Sequence, residues 1–173
     1  MIFRCPVTLI TLAVCVAVYL RQMQDSSIMD KYAFNYYGVK RGEYYRILSG
    51  AFLHGSPVHL IMNMYSLYSL GTALEPYLGS VWYALLLFGS VAAGSLACMY
   101  FRLRAAIGMS GGLYGLMFFY FALVIFARPS SIFYIVRTSL PNILINFIPG
   151  IAWQAHLGGA VLGVIAAVLH IFL

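Results

Sequence analysis

One short stretch of the chain places a serine where it can act as a nucleophile. Ser110 lies in the run Gly108-Met109-Ser110-Gly111-Gly112, at the start of a long apolar segment. The glycines allow the backbone to turn sharply or to approach another group closely. A serine at a helix start also has backbone N–H groups beside it that can stabilise an oxyanion. The ordinary alternative is a structural serine bonded to a carbonyl one turn back or to a neighbouring helix.

A histidine later in the chain is the candidate base for this serine. His156 begins a glycine-rich run in which Gly159 and Gly163 form a small-xxx-small pair, a pattern that lets a second helix pack closely. Gly111 and Gly115 form the same pattern beside the serine. Docking of the two glycine faces would bring the serine hydroxyl toward the imidazole.

Three further side chains have the chemistry to assist such a pair. His59 and Asn63 are spaced i, i+4, so they share one face of a helix. Both can donate hydrogen bonds to a developing oxyanion, together with the Ser110 N–H. Tyr114 follows Ser110 by four residues on the same helix face, where it can stack on the ring of His156.

The carboxylates restrict the mechanism. The acidic residues are Asp25, Asp30, Glu43 and Glu75. None of them falls in the middle of an apolar run near His156, so a Ser-His dyad is expected rather than a Ser-His-Asp triad. Two alternatives remain open: an intramembrane histidine that bonds a neighbouring helix, and a haem bundle in which His59 and His156 are axial ligands. A haem site, however, does not need the glycines at 108–112.

The composition indicates an integral membrane protein. The chain is 63% hydrophobic and 8% charged, with a mean hydropathy of +0.91, and its apolar runs are too long for barrel strands. The net charge of +6 comes from basic residues scattered between these runs. That scatter gives no support to nucleic-acid binding and is typical of residues at lipid headgroups. The cysteines have no metal-ligand spacing and are interpreted as small core residues, so no metal is expected.

The predicted fold is a single all-α domain over residues 1–173, a bundle of six transmembrane helices. The apolar runs place the spans at about 6–22, 57–75, 81–101, 105–127, 131–148 and 151–172. The second span is expected to end at Glu75-Pro76, because a residue before proline disfavours the helical conformation. Residues 24–56 form a long first loop whose mixed charges and tyrosines favour the membrane interface. The fifth span is the least typical, since it contains Arg137, Pro141, Asn142 and Asn146.

Three motifs resemble the signature elements of the rhomboid intramembrane serine proteases. They are Gly-Met-Ser-Gly at 108–111, His-Leu-Ile-Met-Asn at 59–63 and Ala-His-Leu-Gly-Gly at 155–159. Glu-Tyr-Tyr-Arg at 43–46 and Phe-Leu-His-Gly at 52–55 also look like the family's approach to its second span. The resemblance covers roughly residues 43 to 170, with the three motifs in order at the expected spans.

The resemblance implies a six-helix bundle with a water-filled cavity open to one face of the membrane. It implies Ser110 as nucleophile, His156 as general base, and His59, Asn63 and the Ser110 N–H as the oxyanion hole. It also implies that Tyr114 packs on the catalytic imidazole, and that the backbone at Gly108, Met109 and Gly111 supports the oxyanion site. The implied substrates are transmembrane-helix proteins, cleaved in or near a span through an acyl-enzyme without metal or organic cofactor. The alternative is a catalytically silent relative that binds transmembrane helices.

The charge distribution disagrees with the topology that the resemblance implies. In a bacterial inner membrane, the expected location, the family's N-terminus is cytoplasmic, which leaves Arg4 and Arg128 inside. Seven other basic residues then fall outside: Arg21, Lys31, Lys40, Arg41, Arg46, Arg102 and Arg104. This distribution runs against the positive-inside rule.

Three smaller expectations complete the sequence analysis. The chain is expected to be a minimal six-span form without a cytosolic domain or a seventh span. His54 is expected to anchor the loop before the second span by a hydrogen bond. The sequence leaves the oligomeric state open, since glycine faces serve both internal packing and dimers.

Overall fold

A computed structural model of the chain describes residues 4–133, 136–137 and 150–172, which form a bundle of helices. In chain order the elements are α1 Pro6–Gln24, α2 Ser27–Tyr32, β1 Phe34–Asn35, α3 Tyr36–Lys40, α4 Arg46–Ser49, α5 Pro57–Leu78, α6 Ser80–Tyr100, β2 Ala105–Ala106, α7 Ser110–Ala127 and α8 Trp153–Phe172. Short 3-10 turns lie at Gly50–Phe52 and Pro129–Ser131.

Among the described residues, four helices are long and apolar enough to cross a membrane, namely α1, α6, α7 and α8. These helices make the chain an integral membrane protein. The fifth long helix, α5, has 22 residues, but its histidine, asparagine, serines and tyrosines make it less apolar than the other four. Most of the predicted fifth span, 131–148, lies outside the described residues, so the six-helix count stays a prediction.

The predicted end of the second span at Glu75-Pro76 is wrong. Helix α5 continues through Pro76 to Leu78, and the Gly79 N–H donates to the Glu75 carbonyl at 2.9 Å. The Glu75 carboxylate is fully buried and accepts bonds from two backbone N–H groups in the first turn of α1, each 2.9 Å long. These bonds hold Glu75 in helical conformation and outweigh the local bias that proline imposes on its predecessor.

The predicted start of the fourth span at residue 105 is also wrong, because α7 begins at Ser110. Residues 105–106 form β2 instead, which pairs antiparallel with β1 so that Phe34 faces Ala106. Gly108 then turns the chain with a φ of +103°, a conformation that suits glycine. Pairing with a distant loop therefore shortens the helix and sets where its first residue lies. The other long helices, α1, α6 and α8, begin and end within two residues of the predicted bounds, whereas the short helices α2 to α4 lie within the predicted first loop.

The first loop is held together by a buried arginine. Arg46 donates to the carbonyl oxygens of Asp30 and Ala33, both at 2.9 Å, and forms an ion pair with Glu43. The bond from Arg46 lowers the pKa of the Glu43 carboxyl below its usual range. A cation that satisfies two backbone carbonyls turns this polar loop into a folded unit against α6.

Glycines bring α7 and α8 into direct backbone contact. A Cβ placed on Gly159 would collide with the carbonyl of Gly111, and one on Gly163 would collide with the carbonyl of Gly115. The predicted docking of the two glycine faces is therefore confirmed. This close approach fixes the first turn of α8 against the first turn of α7.

The bundle has two ends that carry different residues. At the first, which we call the Ser110 end, the Gln22 side chain donates to the His54 carbonyl at 3.2 Å. At the second, the Glu75 end, the Tyr77 hydroxyl lies 3.1 Å from a ring nitrogen of His170. The start of α7 and the start of α8 meet at the Ser110 end.

Candidate active site

A serine and a histidine from two helices meet at the Ser110 end. The His156 Nε2 lies 2.8 Å from the Ser110 Oγ, a full hydrogen bond between residues 46 positions apart in sequence. His156 is buried, and Ser110 is partly buried as the first residue of α7. In this arrangement Nε2 can accept the hydroxyl proton when Nδ1 carries the ring hydrogen.

An aromatic ring covers one face of this imidazole. The rings of Tyr114 and His156 are stacked, with centroids 4.1 Å apart and planes 6° from parallel. Tyr114 is in turn stacked on Phe118 at 6.2 Å. The stack restricts rotation of the imidazole, so packing orients His156 where a carboxylate does so in a triad.

The carboxylates of the chain are engaged elsewhere. Glu75 lies at the opposite end of the bundle, and Glu43 pairs with Arg46 in the first loop. Asp25 accepts a bond from the Ser27 N–H at 3.0 Å, and Asp30 is exposed. The geometry is therefore that of a serine–histidine pair without an acidic third member.

His59 lies against the backbone that leads to Ser110. A Cβ placed on Gly108 would lie 2.7 Å from the His59 Nε2, so only glycine leaves room for this ring. The Gly55 N–H donates to His59 Nδ1 at 3.4 Å, which places the ring hydrogen on Nε2. That N–H faces the turn two residues before Ser110.

Asn63 lies one helical turn after His59 and is buried. Its Nδ2 donates to the His59 carbonyl at 2.9 Å, which leaves the second N–H of the amide. Within the described residues its Oδ1 has no hydrogen-bond partner. The amide is therefore only partly satisfied in a buried position, where polar groups are normally paired.

His54 anchors the loop as predicted, although its backbone makes the bonds. Its N–H donates to the Gln22 Oε1, and its carbonyl accepts from the Gln22 Nε2, both at 3.2 Å. The ring is buried and meets the His59 ring edge to face at 5.1 Å. Burial lowers the pKa of His54 to about 4, so the ring stays neutral.

The sequence did not predict a small cavity behind the site. Its volume is about 20 Å³, room for roughly one water molecule, and Gly108, Gly111 and Ala155 form part of its wall. Ser95 and Cys98 line it from α6. The cavity lining comes from several distant segments, so no sequence pattern could have indicated the cavity.

Met109, predicted to support the site, is fully buried in the core.

The geometry weakens the haem alternative. An iron at His156 would compete with Ser110 for the same nitrogen, and Tyr114 already covers one face of the ring. In the part of the chain that the structure describes, no three His, Cys, Asp or Glu residues are grouped to hold a metal ion. The site as described is built for a hydroxyl and an imidazole.

Comparison with known proteins places this architecture in a family. The rhomboid domain model matches residues 41–171. The chain is 32% identical to RHOMBOID-like protein 4 of Arabidopsis thaliana, in an alignment that covers 72% of this chain and 34% of that protein. It is 28% identical to the rhomboid protease GluP of Bacillus subtilis, covering 75% and 26%. It is 29% identical to rhomboid-related protein 2 of Mus musculus, covering 80% and 52%.

The aligned part thus spans between about a quarter and about half the length of these relatives. The family match extends from the first loop to the end of α8 and includes every residue of the serine–histidine arrangement. The chain belongs to the rhomboid family.

Proposed function

We propose that this chain is an intramembrane serine endopeptidase that cleaves membrane proteins in or near their transmembrane segments. The observation that carries the proposal is the 2.8 Å contact between Ser110 Oγ and His156 Nε2 inside an apolar bundle. Ionisable groups are expensive at such positions and are retained mainly for function. A relative named as a protease, GluP, supports the same activity.

In the first half of the reaction, Ser110 Oγ attacks the carbonyl carbon of the scissile bond while His156 Nε2 takes the hydroxyl proton. The carbonyl oxygen becomes an oxyanion in the tetrahedral intermediate. His156 then gives its proton to the leaving amine, the C–N bond breaks, and an ester joins the substrate to Ser110. Tyr114 stacks on the imidazole and keeps it in position during both proton transfers.

The proposed oxyanion donors surround the turn before α7. The Ser110 N–H belongs to the first turn of that helix, where N–H groups have no acceptor within the helix. The His59 Nε2–H faces Gly108, and Asn63 has a second N–H beyond the one bonded to the His59 carbonyl. We assign these three groups to the oxyanion, with Gly108, Met109 and Gly111 shaping the backbone around it.

The second half of the reaction repeats these roles with water. His156 takes a proton from a water molecule, which attacks the ester carbonyl, and the proton then passes to Ser110 Oγ as the acyl group leaves. The balance is one peptide bond and one water consumed, with a carboxylic acid and an amine produced. The proposal includes a six-span bundle over residues 1–173 in a bacterial inner membrane.

The test is labelling with a fluorophosphonate probe, which reacts only with an activated serine. Detergent-purified wild type is compared with Ser110→Ala and His156→Ala, and we expect labelling to fall by at least roughly a thousandfold in both. Ser69→Ala on α5 and His170→Ala at the Glu75 end are matched controls that keep full labelling. Circular dichroism and gel filtration check that each variant is folded.

Two results would count against the proposal. Labelling that persists in Ser110→Ala would place the reactive serine elsewhere. A folded wild type that neither takes the probe nor cleaves a transmembrane substrate in proteoliposomes would favour the alternative, a catalytically silent rhomboid-like protein that binds transmembrane helices.

A further inference from the structure

Exposed basic side chains gather at the Ser110 end from two segments that are distant in sequence. They are Lys31, Lys40 and Arg41 of the first loop, and Arg102 and Arg104 of the turn between α6 and β2. The β1–β2 pairing joins the segments, and the Tyr36 N–H donates to the Arg104 carbonyl at 3.2 Å. We call these five residues the cationic surface. Folding thus brings two basic segments that are distant in the sequence to the same end of the bundle.

Exposed aromatic side chains surround the cationic surface. They are Tyr32, Tyr37, Tyr44, Tyr45, Tyr100 and Phe101, with exposed fractions from 44% to 82%. Tyrosines with an apolar ring and a polar tip concentrate at the headgroup level of membranes. The combination therefore fits the boundary between hydrocarbon and headgroups rather than open water.

The neighbouring acids do not neutralise this patch. The Ser110 end carries seven basic residues (Arg21, Lys31, Lys40, Arg41, Arg46, Arg102 and Arg104) and three acidic ones (Asp25, Asp30 and Glu43). Glu43 forms ion pairs with Arg46 and Arg41, and Asp25 is bonded to the Ser27 N–H. An excess of positive charge remains on the surface.

One residue of the cationic surface occupies a conformation that does not favour it. Arg102 has a φ of +55°, the only positive φ outside glycine among the described residues. The Leu103 N–H closes α6 by donating to the Cys98 carbonyl at 2.9 Å, in the kind of helix ending where glycine is usual. An arginine at this strained position indicates that its charged side chain contributes something glycine cannot.

We propose that the cationic surface binds the phosphate groups of anionic phospholipids in the leaflet at the Ser110 end. Guanidinium and ammonium groups donate charge-assisted hydrogen bonds to phosphate oxygens, and clustered basic residues beside a span recognise anionic headgroups. The surrounding aromatic rings anchor the first loop at the level of the lipid headgroups. The basic residues are then bound interfacial groups rather than free loop charges, which accounts for their conflict with the positive-inside rule.

Native mass spectrometry of the detergent-purified protein, mixed with equal amounts of phosphatidylglycerol and phosphatidylcholine, tests this binding. We expect wild type to retain phosphatidylglycerol preferentially. Each basic residue near the headgroup should raise the affinity for this lipid roughly fivefold. The combined variant Lys31→Gln, Lys40→Gln, Arg102→Gln, Arg104→Gln loses the preference. Arg4→Gln at the Glu75 end is the control and keeps it.

Arg102→Gly separates lipid binding from folding. Glycine relieves the positive φ, so this variant is expected to unfold at a higher temperature than wild type in neutral detergent. The same variant loses several-fold in preference for phosphatidylglycerol, whereas Arg102→Lys retains most of it. Effects of opposite sign cannot come from general destabilisation.

An unchanged lipid preference in the four-residue variant would overturn the proposal. If that variant also cleaves more slowly, in phosphatidylcholine vesicles, a substrate with acidic residues beside its span, the cationic surface would be assigned to substrate rather than to lipid.

Discussion

Helix α5 carries one buried polar residue near each end, and the two differ in how completely their hydrogen bonds are satisfied. Asn63 and Glu75 are twelve positions apart, about 18 Å along the helix axis. Glu75 accepts four hydrogen bonds of 2.7–2.9 Å, from the N–H groups of Val7 and Thr8 and the hydroxyls of Thr8 and Ser80. Asn63 donates one bond, and its Oδ1 has no partner among the described residues.

The difference separates a structural polar cluster from the candidate active site. A buried charge with all its lone pairs satisfied locks helices together, and leaving such groups unpaired is strongly unfavourable. Among the described residues the Asn63 amide has a second N–H beyond the one bonded to the His59 carbonyl, and in the proposed site this N–H donates to the substrate carbonyl. The buried Ser90 hydroxyl of α6 also lacks a partner among the described residues, so an unsatisfied group alone does not mark the site. Asn63 is assigned to the proposed site because it shares a helix face with His59.

Replacing Asn63 should affect activity far more than stability. Asn63→Ala removes a proposed oxyanion donor, for which losses of roughly a hundredfold in kcat are typical. Its unfolding temperature should change little, because the variant also removes a buried oxygen that has no partner among the described residues. Steady-state cleavage of a transmembrane substrate and thermal unfolding in the same detergent measure both. A variant as active as wild type would remove Asn63 from the site.

Replacing Glu75 should show the reverse pattern. Glu75→Gln keeps the shape but weakens bonds to two N–H groups and two hydroxyls, and we expect roughly 2–3 kcal/mol of lost stability. The kcat of the folded fraction should stay within about twofold, because Ser110 lies at the other end of the bundle. Thermal unfolding and probe labelling, normalised to folded protein, check this. A large fall in kcat without loss of stability would contradict the division between the two clusters.

A third and smaller effect concerns the partly exposed Glu43 in the first loop. Its pKa is lowered in the folded chain by the bond from Arg46, so it contributes stability above its unfolded pKa of about 4.3. That contribution is lost as the pH falls through the lower folded value. Glu43→Gln should therefore unfold at a slightly lower temperature than wild type at pH 7. The difference should shrink as the pH falls below the unfolded pKa of about 4.3 and close once the pH passes the folded pKa, as unfolding scans across pH would show.

Much of the site could be predicted because its signals are local. Ser110 is recognisable from the glycines around it, and His59 with Asn63 from a spacing that puts both on one helix face. The glycine pairs predicted close packing of two helices, and the backbone contact between α7 and α8 confirms this prediction. The same motifs resembled those of the rhomboid family, and the rhomboid domain model does match residues 41–171.

Other features needed partners that no local pattern reveals. The sequence placed a helix end at Glu75-Pro76, yet bonds to α1, 67 and 68 residues away, keep that segment helical. The sequence also placed residues 105–109 in a span, but residues 105 and 106 form a strand that pairs with β1. In both cases a long-range hydrogen bond outweighed a weak local preference, which is the usual reason that element boundaries fail.

Hydropathy, helical spacing and residue type are local properties, so they were sufficient to predict the membrane class, most of the long helices and the residues of the candidate site. Three features are evident only in the folded chain: Ser110 and His156 touch, Glu75 is fully satisfied, and the two basic segments meet. Each of these depends on segments tens of residues apart meeting at one end of the bundle. Their approach is fixed by backbone contacts through glycine and by a two-residue strand pair.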